Sequence, residues 1–275
     1  SDPFIYAAGD AVETIDFVSG KKAFVPLASP ANRQGRIAAD NIAGIESTYD
    51  GTLGTSILKA FDMTVAMTGN NERSLKESGV DYEKSFTFSP SNASYYPGAS
   101  FMTIKLMFEK QSGRILGAQI TGFKGVDKRI DIIATAIKAG MTVHGLANLE
   151  LSYSPPFGSA KDPVNIAGYV ASNIISGMMK VFHWHDVKDI NPDEAILLDV
   201  RTREEYAKGS LEGAVNIPLD ELRERISELD ESKPVYVFCQ VGFRGYIAAR
   251  ILGQNGFENV YNLSGGYRLV KMIIS

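Results

Sequence analysis

Cys239 is the single cysteine of this 275-residue sequence, and the residues after it give that thiol a chemistry. Behind Gln240, Val241, Gly242 and Phe243 comes Arg244, then Gly245. The run from Pro234 to Phe238 reads as a buried strand, and the glycine-containing segment behind Cys239 reads as a tight turn into a helix. Backbone N–H groups converge at such a turn, and together with the positive end of the helix they favour a negative sulfur, so Cys239 is expected to be a nucleophile. Arg244 is placed to hold an anionic substrate oxygen through paired hydrogen bonds. Gln240, Val241, Gly242, Phe243 and Gly245 then line the substrate cradle. A cysteine without such a context is more often buried filler. A lone cysteine also excludes an intrachain disulfide, a two-cysteine redox pair and a multi-thiolate zinc site, so disulfide redox chemistry here needs groups from elsewhere.

The elements that present Cys239 begin near Val181. From there short apolar strands (195–200, 235–239, 259–263) alternate with helical stretches (219–229, 245–254), the pattern of a small doubly wound α/β domain, in which sites lie at the carboxyl ends of the strands. The preceding segment has a different pattern. Strand-like runs at 57–61, 63–68 and 85–88 surround a short helix at 72–77. The alternation of Met102, Ile104, Leu106 and Phe108 leads through Gln111-Ser112-Gly113 to a partner strand at 115–121, a hairpin with one buried face. Ile130, Ile133, Ala134 and Ile137 mark an amphipathic helix ended by Gly140, and Asp162 with Pro163 opens a second, mostly apolar helix. The first 50 residues predict a strand at 4–8 ending in Gly9-Asp10, a small-residue loop at 21–30 and an Ala-rich helix over 32–44.

The composition is that of an ordinary globular protein, 44% apolar and 22% charged, with a net charge of −4. Residues 181–275 carry 11 basic and 15 acidic side chains and residues 1–180 carry 17 of each, so neither part offers the basic field that nucleic-acid binding needs. The densest basic cluster, Lys124, Lys128 and Arg129, suits a small anion or plain solvation. No apolar run reaches the roughly 18 residues of a membrane span. The chain is expected to be cytoplasmic, with neither nucleic-acid nor membrane partners.

On the stretches Leu197-Leu198-Asp199-Val200-Arg201, Gly209 to Pro218, Cys239 to Arg244 and Leu263 to Tyr267, residues 181–275 resemble a single-domain rhodanese. The resemblance implies sulfane-sulfur transfer through a Cys239 persulfide cradled by the loop amides. Many rhodaneses have Gly-His where this chain has Gly209-Ser210. Asp199 and Arg201 either line the pocket or form a structural ion pair.

Residues 6–11, Tyr-Ala-Ala-Gly-Asp-Ala, resemble the last FAD-contacting strand of the pyridine nucleotide-disulfide oxidoreductases. Residues 25–36 resemble the segment beside the flavin in the branch holding NADH oxidases, NADH peroxidases and coenzyme A-disulfide reductases. The resemblance gives Gly9 and Asp10 a role at the ribityl chain and the backbone of Pro26, Leu27 and Ala28 a role at the flavin ring. Residues 51–180 resemble that branch's α+β dimerisation domain. There Tyr95 and Tyr153, with Tyr96 as a rival to Tyr95, match the tyrosines that reach the partner subunit's active site, where a phenol bonds a ligand or stabilises a departing thiolate.

The implied architecture is therefore the end of an FAD-binding α/β domain (1–50), an α+β dimerisation domain (51–180) and a doubly wound rhodanese-like α/β domain (181–275). The implied activity is FAD-dependent, NADH- or NADPH-driven reduction of a coenzyme A disulfide, persulfide or polysulfide by a homodimer, with sulfane sulfur passing through Cys239. The family's glycine-rich nucleotide loop and its redox cysteine have no counterpart among these residues, so the chain is expected to be the C-terminal portion of a longer fusion. The alternatives are an NADH oxidase or peroxidase with a sulfur-handling appendage, and a redox-inert interaction module.

Overall fold

The computed structural model describes residue 2 and residues 4–274, with the side chain of Ile274 left aside. Contacts divide the chain into two units, one reaching to Lys84 together with Ser89–Tyr169, the other comprising Ser85–Phe88 and the residues from Val170 onward.

The first unit opens on an irregular segment. Residues 4–8 form no strand, and Phe4 and Ile5 are exposed. A strand needs a neighbour to take its N–H and C=O groups, and among the described residues none pairs with this one. Ser1 and Pro3, which open the expected segment, lie outside the described residues. Two short strands, β1 (Thr14–Ile15) and β2 (Lys22–Ala23), pair antiparallel. Helix α1 spans Ala28–Ile42, four residues earlier at its start than the alanine pattern implies. Pro30, at its third position, has no N–H to satisfy, so it suits the first turn rather than a loop.

A five-stranded sheet comes next, built from β3 (Ser56–Ala60), β4 (Met63–Gly69), β5 (Tyr82–Pro90), β6 (Phe101–Glu109) and β7 (Ile115–Gly122) in the order β3-β4-β7-β6-β5. Helix α2 (Glu72–Ser78) is capped at its start by Asn71, whose side chain accepts from the Ser74 N–H. β6 and β7 pair with Ile104 opposite Ile120 and Leu106 opposite Ala118, and all four are buried. Burial is not confined to one face, since Met107, Ile115, Leu116 and Phe108 are also enclosed. Helix α3 (Val126–Lys138) packs across β4 and β7 through Ile130, Ile133 and Ile137, as their spacing requires, and Gly140 lies just beyond it in the left-handed region at φ +67°. Helices α4 (Val143–Ala147) and α5 (Pro163–Ile175) complete the helices of this part; the Val164 N–H bonds to Asp162 Oδ1, the cap expected from the sequence.

The second unit is built on strands β8 (Lys180–Phe182), β9 (Ile196–Asp199), β10 (Val215–Asn216), β11 (Val235–Phe238) and β12 (Val260–Leu263), all parallel, in the order β10-β9-β11-β12-β8. The sheet is covered on both faces, so neighbouring residues point into different cores. Leu198 and Val237 join Ala248, Ile251 and Leu252 on one side, while Leu197 and Phe238 join Phe182, Leu263 and Val270 on the other. Each such buried aliphatic side chain contributes about 1.5–3 kcal/mol. Helices α6 (Arg203–Ala207), α7 (Phe243–Gln254) and α8 (Gly266–Ile274) complete it. Residues 219–229, expected as a helix, instead form consecutive turns and one 3-10 turn at Ile226–Glu228. Their bonds reach mostly three residues back, as from Leu222 to Leu219 and Glu224 to Glu221, and Arg225 is clamped between Glu221 and Glu228. Leu222 still reaches the core, so the apolar spacing was met by a tighter winding than α.

Candidate active site

Cys239 stands at the carboxyl end of β11, buried, beside the β9 end that carries Asp199. The N–H of Gly242 donates to Cys239 Sγ at 3.2 Å. Gly242 is the N-cap of α7 at φ +104°, a backbone state open to glycine, and no side chain caps the helix, so its first amides have no side-chain partner. Two anchors fix that loop. The N–H groups of Tyr267 and Arg268 donate to the carbonyls of Cys239 and Gln240 at 2.8 and 2.9 Å. From β12, the Asn262 side-chain amide donates to the Gly242 carbonyl at 3.1 Å. Gly266, at φ +62°, lies so close beneath the loop that a Cβ there would stand 2.5 Å from the Cys239 carbonyl oxygen. A Cβ at Gly245 would likewise stand 2.2 Å from Asn262 Oδ1. Gln240, Val241, Gly242 and Phe243 are open to solvent to varying degrees and Gly245 is buried.

Arg244 sits in this site already engaged. Its Nη1 and Nη2 donate to the two carboxylate oxygens of Glu205 at 2.6 and 2.7 Å. Those bonds drive the Glu205 carboxyl down to about 2 and, with a smaller contribution from Cys239, push the Arg244 guanidinium up. Sequence reasoning missed Glu205. The signal present was Thr202 with Glu205 three residues later, and the two do form a capping box, but the pattern says nothing of an arginine 39 positions on.

Asp199 and Arg201 form the ion pair rather than a solvent-facing pocket wall. Both are buried, with Arg201 Nη2 2.6 Å from Asp199 Oδ2 and also donating to the Gly209 carbonyl. The Ser210 hydroxyl donates to the same Asp199 oxygen at 2.7 Å, so the serine that replaces a frequent histidine is a member of this network.

In the first unit, Tyr95 and Tyr153 come together, their hydroxyl oxygens 3.4 Å apart, and both rings are exposed. Tyr96 makes no such pair; its N–H bonds to the Ala93 carbonyl. The two loops are stitched by Ala93 N–H to Gly158 carbonyl at 2.8 Å and by the Asn92 side chain to the Pro155 carbonyl at 3.3 Å. Beneath them buried Arg129 donates to Asp162 Oδ2 and to the Ser91 carbonyl. The cluster of Lys124, Lys128 and Arg129 is therefore not an anion site: Arg129 and Lys128 both answer Asp162, and Lys124 donates to the Gly98 carbonyl.

At the opposite end, Gly9 has φ +89° and its N–H donates to Gln34 Oε1, leaving the Asp10 carboxylate exposed. Pro26 and Ala28 are exposed and Leu27 half-buried; α1 starts after Leu27 with no side-chain cap. An exposed carboxylate after a left-handed glycine and an uncapped run of amides are groups that fit FAD.

A model of the pyridine nucleotide-disulphide oxidoreductase dimerisation domain matches residues 55–163, and a rhodanese-like domain model matches residues 184–272. The chain therefore carries a pyridine nucleotide-disulphide oxidoreductase dimerisation domain followed by a rhodanese-like domain. Among solved structures, the reduced CoADR-RHD of Bacillus anthracis superposes with a TM-score of 0.97 at 51% identity, over 99% of this chain and 49% of that one. A NAD-dependent persulfide reductase from A. fulgidus gives 0.88 at 43% identity, over 98% and 48%. The CoA-dependent NAD(P)H sulfur oxidoreductase of Pyrococcus furiosus is 36% identical over 166 residues, 60% of this chain and 37% of that relative. The chain thus spans just over a third of such a curated oxidoreductase and about half of the two solved ones. Among the described residues no helix is long and apolar enough to cross a membrane, and no cluster of metal-ligating side chains occurs.

Proposed function

We propose that this chain is part of a cytoplasmic, homodimeric FAD-dependent oxidoreductase. It uses NADH or NADPH to reduce a coenzyme A disulfide, persulfide or polysulfide, and passes sulfane sulfur through Cys239. In this reading residues 1–50 complete the flavin domain, residues 51–180 make the dimer contact and residues 181–275 are the sulfurtransferase.

The observation that carries the sulfur chemistry is the Gly242 N–H aimed at Cys239 Sγ from the uncapped start of α7. Amides so placed stabilise a thiolate and, after transfer, the terminal sulfur of a persulfide. The thiolate attacks the outer sulfur of the donor, the donor's S–S bond breaks, and its electron pair leaves with the thiolate or sulfite released. Tyr95 and Tyr153 supply a phenolic O–H to a thiol ligand in the partner subunit's site. Asp10 and the backbone from Pro26 to Ala28 hold FAD, which accepts and passes on the nicotinamide's electrons when bound.

Cys239→Ser in the full-length flavoprotein tests this reading. Persulfide- and thiosulfate-dependent sulfur transfer is lost while NAD(P)H still reduces the flavin. Full retention of sulfur transfer would overturn the role of Cys239. Loss of coenzyme A disulfide turnover to hydrogen peroxide or water formation from oxygen would favour the oxidase reading. That reading has support from the similarity to a NADH oxidase of Methanocaldococcus jannaschii, 35% identical over 167 residues.

A further inference from the structure

We propose that Glu205 determines donor specificity at the Cys239 site: by holding Arg244 in a closed, neutral pair it turns away dianionic sulfur donors such as thiosulfate and leaves alkyl persulfides as the favoured donors. The proposal rests on the reading of Cys239 as the sulfur acceptor and adds what selects the donor.

The geometry of the pair is the starting point. Both terminal nitrogens of Arg244 are taken by one carboxylate, at 2.6 and 2.7 Å, with the two side chains 30% and 31% exposed. A guanidinium paired through two parallel bonds has its forked edge filled and its charge offset, so an incoming sulfonate meets an ion pair with no net charge in place of a free cation. Glu205 is held from its own side as well. Its backbone N–H donates to the Thr202 hydroxyl oxygen and its Oε2 accepts from the Thr202 N–H at 3.0 Å, so displacing it breaks a helix cap together with the ion pair.

Arg201 does not take over the task. Its charge also reaches Glu205, but it is buried and already bonded to Asp199 and the Gly209 carbonyl. The loop's second position is Gln240, an uncharged side chain. Residues 181–275 as a whole carry more acid than base.

The two donor classes differ in the charge beside the bond that breaks. With thiosulfate, the Cys239 thiolate takes the outer sulfur and sulfite departs with the electron pair, so two negative charges must enter and leave beside Glu205. With an alkyl persulfide, the same attack on the terminal sulfur releases an alkyl thiolate, and no sulfonate has to be held. Only the first reaction needs Arg244 as a free anion clamp.

The test compares thiosulfate and glutathione persulfide as donors to the full-length flavoprotein, reading sulfite or glutathione release and the gain of one sulfur on Cys239 by mass. Glu205→Gln keeps the acceptor oxygen of the cap and removes the charge. It is expected to lower the thiosulfate KM by about tenfold while kcat/KM for glutathione persulfide moves less than about threefold, since the charge removed faces the sulfonate at the breaking S–S bond, while the carboxylates of glutathione lie several bonds from the reacting sulfurs. Glu205→Asp, which keeps the charge, retains the selectivity of the unaltered protein. In that protein, raising salt lowers the thiosulfate KM, because screening weakens the repulsion, and this measurement stands whether or not a variant folds. An unchanged or raised thiosulfate KM in Glu205→Gln would overturn the proposal. So would a parallel change with both donors, equal relaxation by Glu205→Asp, or a thiosulfate KM that rises with salt. Sulfur loading that survives Cys239→Ser would instead overturn the underlying assignment of Cys239.

Discussion

Tyr95 and Tyr153 lie 58 positions apart in sequence, yet their phenolic oxygens stand 3.4 Å from each other on an exposed face. One hydroxyl is donor to the other, which leaves one O–H free to point outward. The hydrogen bond with Tyr95 raises the pKa of Tyr153 above its ordinary value, so Tyr153 keeps its proton at neutral pH. A pair of neutral phenols can donate to a thiolate, and two phenolates cannot. Replacing both by Phe in the full-length enzyme is expected to slow disulfide or persulfide reduction roughly 100-fold, the lower end of what a lost oxyanion donor costs, with flavin content unchanged. Turnover equal to that of the unaltered enzyme would leave the pair a surface contact only.

Asp199 and Arg201 give a different kind of prediction, because they are sealed from water. Removing one member of a buried ion pair leaves the other charge unpaired at a cost of about 3–5 kcal/mol, so Asp199→Ala should strongly destabilise the second unit. Ser210→Ala removes one hydrogen bond to the same carboxylate and should cost less, about 1.5–3 kcal/mol. The single tryptophan, Trp184, packs against that unit's core and reports its unfolding by fluorescence. Similar midpoints for the two variants would contradict the ranking.

How far the sequence could be read depended on the range of the interaction. The end of β11 at Phe238, the turn through Gly242 and the start of α7 are local matters of apolar run, glycine and helix pattern, and all were readable. So was α3, whose Ile130, Ile133 and Ile137 bury as their spacing demands. What was not readable depended on partners. Residues 4–8 carry strand composition but need a neighbour they do not find among the described residues. Residues 219–229 carry helical spacing, yet Arg225 clamped between Glu221 and Glu228 accompanies a tighter winding. Arg244 was legible as a cation beside Cys239, whereas Glu205, which decides what that cation can hold, comes from another element with no local mark of the pairing.

Glu72 supplies the test by pH. Burial by itself would raise its carboxyl, but hydrogen bonds and charge from Lys105 and Lys84 outweigh burial and bring it from 4.5 down to about 2. A carboxyl depressed on folding stabilises fully above its unfolded value and loses that contribution as pH falls through the folded one. The bridge should therefore contribute about 1–3 kcal/mol at neutral pH and fade between roughly pH 4.5 and 2, allowing for its partial exposure. Glu72→Gln should speed amide exchange in β5 and β6 at pH 7 and match the unaltered protein as pH approaches 2. A difference that persisted unchanged at low pH would assign the effect to packing instead.

Gly266 bears on the Cys239 loop through backbone alone. At φ +62° it occupies a conformation side chains disfavour, and a Cβ would stand 2.5 Å from the Cys239 carbonyl oxygen, 2.8 Å from the Gln240 carbonyl carbon and 2.8 Å from the Val241 nitrogen. All three are main-chain atoms, so no flexible side chain can swing aside. Gly266→Ala must move the loop, and with it the Gly242 N–H that reaches Cys239 Sγ at 3.2 Å. A displacement of about 1 Å at reacting groups costs up to about a hundredfold in rate, so sulfur transfer should fall at least tenfold. NAD(P)H-dependent flavin reduction, which does not use this loop, should be unchanged. Gly253→Ala is the control, since a Cβ there meets nothing within 4 Å and lies inside α7, where alanine is the better helix former. Normal sulfur transfer in Gly266→Ala would show that the loop tolerates displacement and that the amide contact to Cys239 is not what makes the sulfur reactive.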